Sequence, residues 1–229
     1  MGSRQWLGLA AILALLALLG ALFVLTAHKA YTLGKPLPTT PKGENQRGLD
    51  YRRHYAQADS WFRKAATQGY ARAEFNLGVA YDNGQGVPQN YTKAVYWYRK
   101  AATQGYARAE NNLGVAYNKG RGVPQNYQKA MFWYKKAANQ GSAKAEYDIA
   151  HFYRFGLSVS RNYVDAYMWY SLAKAAAKPG GNVYNAASDD MQRIGSQKPW
   201  MPDMTPAEIV RAQAMAAAWE RAHLVPPHG

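Results

Sequence analysis

The sequence contains no cysteine among its 229 residues. Disulfide bonds, thiolate metal sites and a cysteine nucleophile are therefore excluded. Histidine is scarce as well, and none of the histidines has a second ligand at the spacing of a metal-binding motif. The five histidines are His28, His54, His151, His223 and His228. The sequence therefore predicts no metal site and no cofactor, and it favours a protein that is not an enzyme.

Acidic residues are few. The chain has 14 Asp and Glu against 28 Lys and Arg, which gives a formal net charge of +14. This balance favours acidic partners, anionic lipid or nucleic acid, but it selects none of them. The one adjacent acidic pair, Asp189 and Asp190, does not share a helix face and so makes a poor acid–base pair. We interpret these two residues as solvated positions at a helix start.

One long apolar run stands at the amino terminus. Residues 6–27 read "WLGLAAILALLALLGALFVLTA", 22 residues without a charge. As a helix this run would rise about 33 Å, which is enough to cross a membrane. We predict that residues 1–28 form an uncleaved signal anchor, with a cleaved signal peptide as the alternative. The rest of the chain is expected outside the cytoplasm, although Lys29, Lys35 and Lys42 after the run argue mildly for the opposite orientation.

A polar segment follows the apolar run. Residues 34–48, "GKPLPTTPKGENQRG", contain three prolines and three glycines and hardly any apolar residue. Such a composition cannot bury much apolar surface. We therefore predict a flexible linker over residues 29–48.

The remainder of the chain repeats itself. Residues 68–103 and 104–139 are identical at 27 of 36 positions. A looser copy covers residues 140–178, and a partial copy covers residues 49–67. A period of this length is typical of stacked helical units, because one unit cannot bury its apolar face alone.

Each unit has the pattern of two helices. Apolar residues at helical spacing predict a first helix over residues 71–83 and a second over 91–103 in the best copy. Gly84 is placed to end the first helix and Asn90 to cap the second. Gly78 and Gly114 lie inside first helices, where glycine costs about 1 kcal/mol relative to alanine. Their recurrence at one position predicts a close approach between helices.

The carboxyl-terminal part closes the array. Residues 179–181, Pro-Gly-Gly, break the last helix of the third copy, and residues 179–223 are predicted to form capping helices. Thr205, Pro206 and Glu208 have the pattern of a helix start with a capping box. Residues 224–229 are expected to be a tail.

The repeats resemble a known family. The pattern A-x-x-x-L-G-x-x-Y-x-x-G-x-G-V-x-x-x-Y-x-K-A-x-x-W-Y-x-K-A-A-x-x-G is similar to the Sel-one-like repeat, a relative of the tetratricopeptide repeat. It is carried by Ala73, Leu77, Gly78, Tyr81, Gly84, Gly86, Val87, Tyr91, Lys93, Ala94, Trp97, Tyr98, Lys100, Ala101, Ala102 and Gly105. The third copy departs from it at Ser158, where Gly is expected, and at Asp165, where Lys is expected.

The resemblance implies an all-α fold, a right-handed α-solenoid of stacked antiparallel helix pairs. It implies a scaffold or adaptor for other proteins and no particular enzymatic activity. Because bacterial members of the family are often exported, we expect a single-pass protein of the bacterial inner membrane with its repeats in the periplasm. A cleaved, soluble periplasmic protein is the alternative.

The resemblance also implies a partner-binding groove lined by the first helices. Its positions in the three copies carry five cations and one acid, a formal charge of 5 − 1 = +4. They are Arg72, Phe75, Val79, Asp82 and Asn83; Arg108, Asn111, Val115, Asn118 and Lys119; and Lys144, Tyr147, His151, Arg154 and Phe155. We expect acidic or mixed polar and aromatic protein segments to bind there. The alternative is a nucleic acid or another anionic polymer, which the dispersed cations and the buried aromatic stripes disfavour.

Overall fold

The computed structural model describes residues 40–50, 55–196 and 204–223. These residues form ten α-helices and no strand. The helices are α1 (Pro41–Asp50), α2 (Tyr55–Thr67), α3 (Ala71–Asn83), α4 (Tyr91–Thr103), α5 (Ala107–Lys119), α6 (Tyr127–Ala138), α7 (Ala143–Phe155), α8 (Tyr163–Ala176), α9 (Asn182–Gly195) and α10 (Pro206–His223). The predicted bounds of the best copy, 71–83 and 91–103, are confirmed.

The helix ends follow from the sequence. Gly84 stands just after α3 with a φ of 69°, a left-handed conformation that glycine adopts without a steric penalty. The Asn90 side chain accepts a hydrogen bond from the backbone N–H of Lys93 and so caps α4. Asn126 and Asn162 cap α6 and α8 in the same way. The turns of the unit are therefore encoded locally and recur with the period.

The core lies between successive helices. Each of α3, α5 and α7 packs against the helix that follows it and against the second helix of the preceding unit. A Cβ atom built on Gly78 would lie 2.5 Å from the ring of Tyr98, and one built on Gly114 would lie 2.6 Å from the ring of Tyr134. The predicted close approach of the helices at these glycines is confirmed.

The predicted linker is wrong from Pro41 onward, because Pro41–Asp50 is the helix α1. Two polar side chains of this segment contact later helices. The buried carboxylate of Glu44 accepts a hydrogen bond of 2.6 Å from Gln68, and the buried Asn45 oxygen accepts one of 2.7 Å from Asn76. Composition alone did not reveal these partners, which lie 24 and 31 residues away. Residues 29–39 lie outside the described residues.

The partial copy at the start of the array, formed by α1 and α2, is therefore a helix pair with a shortened connection. The Glu44–Gln68 hydrogen bond has counterparts in Glu74–Gln104 and Glu110–Gln140, both of 2.7 Å. The two residues are 24 positions apart in the first pair and 30 in the others. The first pair therefore has six fewer residues between these two positions, divided equally between a shorter first helix and a shorter connection.

Two further helices end the array. α9 packs against α8 and α7, and α10 packs against α8. The predicted capping box is confirmed: the Thr205 N–H donates to the Glu208 carboxylate over 2.7 Å, and the Glu208 N–H donates to the Thr205 hydroxyl over 3.2 Å. Within the described ranges, no helix has the length and apolar character needed to span a membrane. The predicted signal anchor, residues 1–28, lies outside those ranges.

Candidate partner-binding groove

The predicted groove positions lie on α3, α5 and α7, but they differ in exposure. Arg72, Asn83, Arg108, Lys119, Lys144 and Phe155 are exposed; Val79, Asp82, Val115, Asn118, Tyr147, His151 and Arg154 are half-buried; Phe75 and Asn111 are buried. Phe75 packs against the rings of Tyr98 and Tyr106. The two buried side chains therefore offer almost no surface to a partner.

A cavity of about 330 Å³ opens between the first helices of neighbouring units. It is bounded by α3, α4, α5 and the start of α7. Lys119, Arg121 and Lys144 bring three cations to it, and Asp82 brings one acid. Arg121 was not among the predicted lining positions. It comes from the turn after α5, and its replacement of Gln85 between copies was the signal for it.

A second cavity adjoins the first. It measures about 370 Å³ and shares Val79, Asn112 and Lys144 with its neighbour. Arg108 borders it, with the guanidinium carbon 5.0 Å from the centre of the Phe75 ring, at a distance typical of a cation–π contact. We call the two cavities together the first-helix groove.

Asp148 lies beside this groove and was missed by the sequence analysis. Asn111 donates a hydrogen bond of 3.2 Å to its carboxylate. Burial raises the pKa of Asp148 to about 6, against the opposing effects of the Asn111 hydrogen bond and of the Lys144 and Lys119 charges. The other copies carry Asn76 and Asn112 at this position, so the departure between copies was again the available signal.

In the third unit, α7 and α8, the predicted groove residues contact an aspartate of the same chain. Asp190 on α9 accepts hydrogen bonds from Arg154 at 2.5 Å and from the Tyr147 hydroxyl at 2.9 Å. His151 Nε2 lies 3.4 Å from the same carboxylate. Burial lowers the pKa of His151 even though Asp190 acts in the opposite direction. Three predicted groove residues are therefore engaged within the chain.

The interpretation of Asp190 as a solvated residue is wrong, since it is buried beneath these three side chains. Its neighbour Asp189 is exposed, as expected, but both residues lie in the middle of α9 and not at a helix start. The difference arises because α9 turns only one side toward α7. The contact shows that groove positions of this array bind a carboxylate presented by a helix.

The buried acidic side chains also bear on whether the chain could hold a metal ion. In residues 40–50, 55–196 and 204–223, no group of three or more His, Asp or Glu side chains is placed to hold a metal ion. Three glutamates with raised pKa values, Glu74, Glu110 and Glu146, are buried at equivalent structural positions in successive units. Their recurrence ties them to packing between units.

Comparison with solved structures gives the same architecture. A Sel1 repeat protein from Oxalobacter formigenes has a TM-score of 0.64 and 28% identity, covering 90% of this chain and 86% of that chain. A protective antigen of uropathogenic Escherichia coli with an SLR fold has a TM-score of 0.64 and 35% identity, covering 80% of this chain but 38% of that chain. A putative Sel1 repeat protein from Klebsiella pneumoniae, at 16% identity and a TM-score of 0.51, shares the fold.

A comparison with curated proteins gives no match. The family model of the Sel1 repeat matches residues 45–70, 71–106, 107–142 and 143–177, more than half of the chain. The match begins within α1, in agreement with a helix pair at the start of the array. Sel1 repeat proteins generally mediate protein–protein interactions. The chain therefore belongs to the Sel1 repeat family.

Proposed function

We propose that this protein is a non-enzymatic scaffold whose first-helix groove binds an acidic segment of a partner protein. The observation that carries the proposal is the placement of Lys119, Arg121 and Lys144 around one cavity with a single acid, Asp82, at its wall. Charge complementarity of this kind steers association and selects partners. Tyr91, which is half-buried at the same cavity, adds surface for an aromatic or apolar side chain of the segment.

The Asp190 contact supports the choice of an acidic segment. Tyr147, His151 and Arg154 already surround a carboxylate at the carboxyl-terminal end of the row of first helices. In the preceding unit the equivalent positions are Asn111, Val115 and Asn118. There the cations are supplied instead by Lys119, Arg121 and Lys144, and Asp148 lies beside Lys119 and Lys144.

The proposal can be tested on the full chain in detergent micelles. The probe is a labelled ten-residue peptide of alternating Glu and Tyr, with a Lys–Tyr peptide of equal length for comparison. We expect fluorescence anisotropy to show binding of the acidic peptide only. Lys119→Glu with Lys144→Glu should weaken it at least tenfold, since two cations of the cavity are reversed.

A matched control reverses the same number of charges elsewhere. Arg161→Glu with Lys178→Glu changes two exposed cations outside the groove and should leave the affinity unchanged. Equal loss in both double variants would show that only net charge matters. Submicromolar binding of single-stranded DNA, lost in both variants, would favour the nucleic-acid alternative instead.

For the location, we propose a single-pass protein of the bacterial inner membrane with its repeats in the periplasm. The proposal is supported by the uncharged run of residues 6–27 behind Arg4. A reporter phosphatase that is active only outside the cytoplasm, fused to the carboxyl terminus, should be active. An inactive but stable fusion would contradict this orientation. A shortened mature chain in the soluble periplasmic fraction would instead support cleavage.

A further inference from the structure

The second helices of two units carry the same exposed aromatic pair. On α4, Tyr96 is 54% exposed and stands edge-on to Trp97, with ring centres 5.0 Å apart. On α6, Phe132 is 54% exposed and stands edge-on to Trp133 at 5.1 Å. Both interplanar angles are 79°. The repetition places two like aromatic surfaces side by side along the array.

A lysine lies over each pair. The Lys100 ammonium is 5.7 Å from the centre of the Tyr96 ring and 5.3 Å from that of Trp97. The Lys136 ammonium is 5.5 Å and 5.3 Å from the rings of Phe132 and Trp133. Lys100 also lies 3.9 Å from the buried Glu74 carboxylate. We call these six residues, Tyr96, Trp97, Lys100, Phe132, Trp133 and Lys136, the second-helix face.

The third unit shows what this position can bind. Its equivalent residues on α8 are Met168, Trp169 and Leu172, which are 7%, 6% and 1% exposed. Both α9 and α10 pack against α8. Trp219 of α10 meets Trp169 at 5.3 Å between ring centres. The third unit therefore covers this position with a helix.

The helix α10 contacts α8 through small residues and one large aromatic ring. Two alanines of α10, Ala212 and Ala216, are buried, and Trp219 supplies the one large ring at the contact. Small residues let the helix approach closely, and the tryptophan adds buried area. The exposed aromatic pairs of α4 and α6 offer the same kind of surface, continuous in register with the covered one.

The charges of the two uncovered helices define the partner further. α4 and α6 each carry three cations and no acid. α8, by contrast, has Leu172 in place of the lysine over the rings and Asp165 in its first turn. A helix resembling α10 but carrying acidic residues beside its apolar stripe would match this surface in shape and charge.

We propose that the second-helix face binds an acidic amphipathic helix of a partner protein, in the manner in which α10 covers α8. This surface is separate from the first-helix groove, so the chain could hold two partner segments at once. The partner helix would place alanines or other small residues and one aromatic ring against Tyr96 and Phe132. Its carboxylates would lie near Lys100 and Lys136.

The test uses the full chain in nanodiscs of uncharged phosphatidylcholine. The probe is a labelled peptide of residues 204–223 in which Arg211 and Arg221 are replaced by Glu; the unaltered 204–223 peptide is the comparison. We expect the acidic peptide to bind at least tenfold more tightly than the unaltered one. Tyr96→Ala with Phe132→Ala should weaken the acidic peptide at least tenfold.

Two controls define specificity. Phe155→Ala removes an equally exposed ring, 51% exposed, from the end of α7 and should leave the affinity unchanged. Arg161→Glu with Lys178→Glu reverses two exposed cations outside both surfaces and should also leave it unchanged. An affinity that does not respond to the Tyr96 and Phe132 changes would overturn the proposal, since the peptide would then be bound elsewhere.

The proposal would also be overturned if the membrane or a second copy of the chain covered the second-helix face. Radical footprinting of Tyr96 and Phe132 should show no protection in nanodiscs containing anionic lipid when no peptide is present. Protection there would mean that this face lies on the membrane. Sedimentation equilibrium should give the same mass for the wild type and for the Tyr96 and Phe132 double variant. A dimer lost only in that variant would mean that a second copy covers the face.

Discussion

Gln140 donates a hydrogen bond of 2.7 Å from Nε2 to the buried carboxylate of Glu110. The same bond joins Gln104 to Glu74 and Gln68 to Glu44. Glu146, the next member of the series, has no exposed surface and neither carboxylate oxygen has a hydrogen-bond partner. Ala176 and Leu172 stand where the glutamine and the lysine of the earlier units would be. The hydrogen bond that supports the buried acid in α1, α3 and α5 is therefore absent in α7.

The first prediction concerns Glu146. Burial, and secondarily Glu220, raises its pKa to about 7 from 4.5. The native state then holds a proton that the unfolded state releases between pH 4.5 and 7, so the free energy of unfolding falls by about 3 kcal/mol as pH rises through that window. Glu146→Gln should remove this contribution and stabilise the protein at pH 8, as measured by urea unfolding.

Glu110→Gln is the matched control for that experiment. Glu110 is equally buried but has the Gln140 hydrogen bond and the Lys136 charge. Burial raises the pKa of Glu110 as well, but the hydrogen bond and the lysine charge oppose it, so the neutral variant should bring a smaller gain at pH 8. If both variants stabilise the protein equally, the absence of a partner at Glu146 is not the cause.

The second prediction concerns Gly114. Alanine would favour the helix by about 1 kcal/mol, but its Cβ would lie 2.6 Å from the buried Tyr134 ring. Overpacking of this kind costs about 1–3 kcal/mol, so Gly114→Ala should lower the thermal midpoint. The control is Ala150→Gly, at the equivalent position of the third unit, which loses only helix propensity and contacts of one methyl group. A higher midpoint for Gly114→Ala would contradict the close approach.

The third prediction concerns Ser158. It has a φ of 61°, in a turn where the other copies have Gly86 and Gly122 at 76° and 71°. A residue with a Cβ is strained there by about 1 kcal/mol, so Ser158→Gly should raise the free energy of unfolding by about that amount. Ser160→Gly, in the same loop without a positive φ, should bring no stabilisation. Equal effects at both positions would count against local strain.

The fourth prediction concerns Asp148 and the first-helix groove. Its pKa of about 6 means that it gains a proton as the pH falls from 7 to 5. That removes a negative charge beside Lys119 and Lys144, while the Glu residues of a peptide stay largely ionised. The Glu–Tyr peptide should therefore bind about fivefold more tightly at pH 5, a change of about 1 kcal/mol. Asp148→Asn should bind tightly at both pH values, and a persistent pH response in that variant would assign the effect to another group.

The fifth prediction concerns Asp190. Asp190→Asn removes the negative charge that pairs with the half-buried Arg154, which costs about 1–3 kcal/mol. Hydrogen exchange should become faster in α9 before it does so in α5 or α6. Asp189→Asn changes the exposed neighbour and should alter stability by less than about 0.5 kcal/mol. Similar exchange in the two variants would mean that the Asp190 contact does not hold α9.

Much of the fold could be predicted because its signals are local. The bounds of α3 and α4, the left-handed Gly84 and the Asn90 cap depend on residues within a few positions of each other. The same method failed at α1, which is polar and is held by Gln68 and Asn76 from later helices. It also failed at Asp190, because no local pattern indicates which side of α9 faces α7.

The candidate site was predicted as a row of equivalent positions on the first helices. In the structure, some of these positions are buried and others are exposed. Phe75 and Asn111 turned out to be buried, whereas Lys119 and Lys144 border an open cavity. Equivalence between repeats predicts backbone position, but exposure depends on the size and polarity of the neighbouring side chains. Arg121 and Asp148 could have been found by comparing the copies, because both residues differ from their equivalents. The comparison would not have shown where their side chains lie.

The sequence by itself determined the repeating helix pair, its turns and its close-packed glycines, because these follow from spacing and backbone chemistry within one unit. Only the tertiary structure decided which surfaces stay open. α9 engages the groove residues of the third unit through Asp190, and α10 covers the aromatic position on α8. Both contacts join residues that are distant in the chain, where burial and charge pairing depend on how whole helices pack rather than on any local pattern.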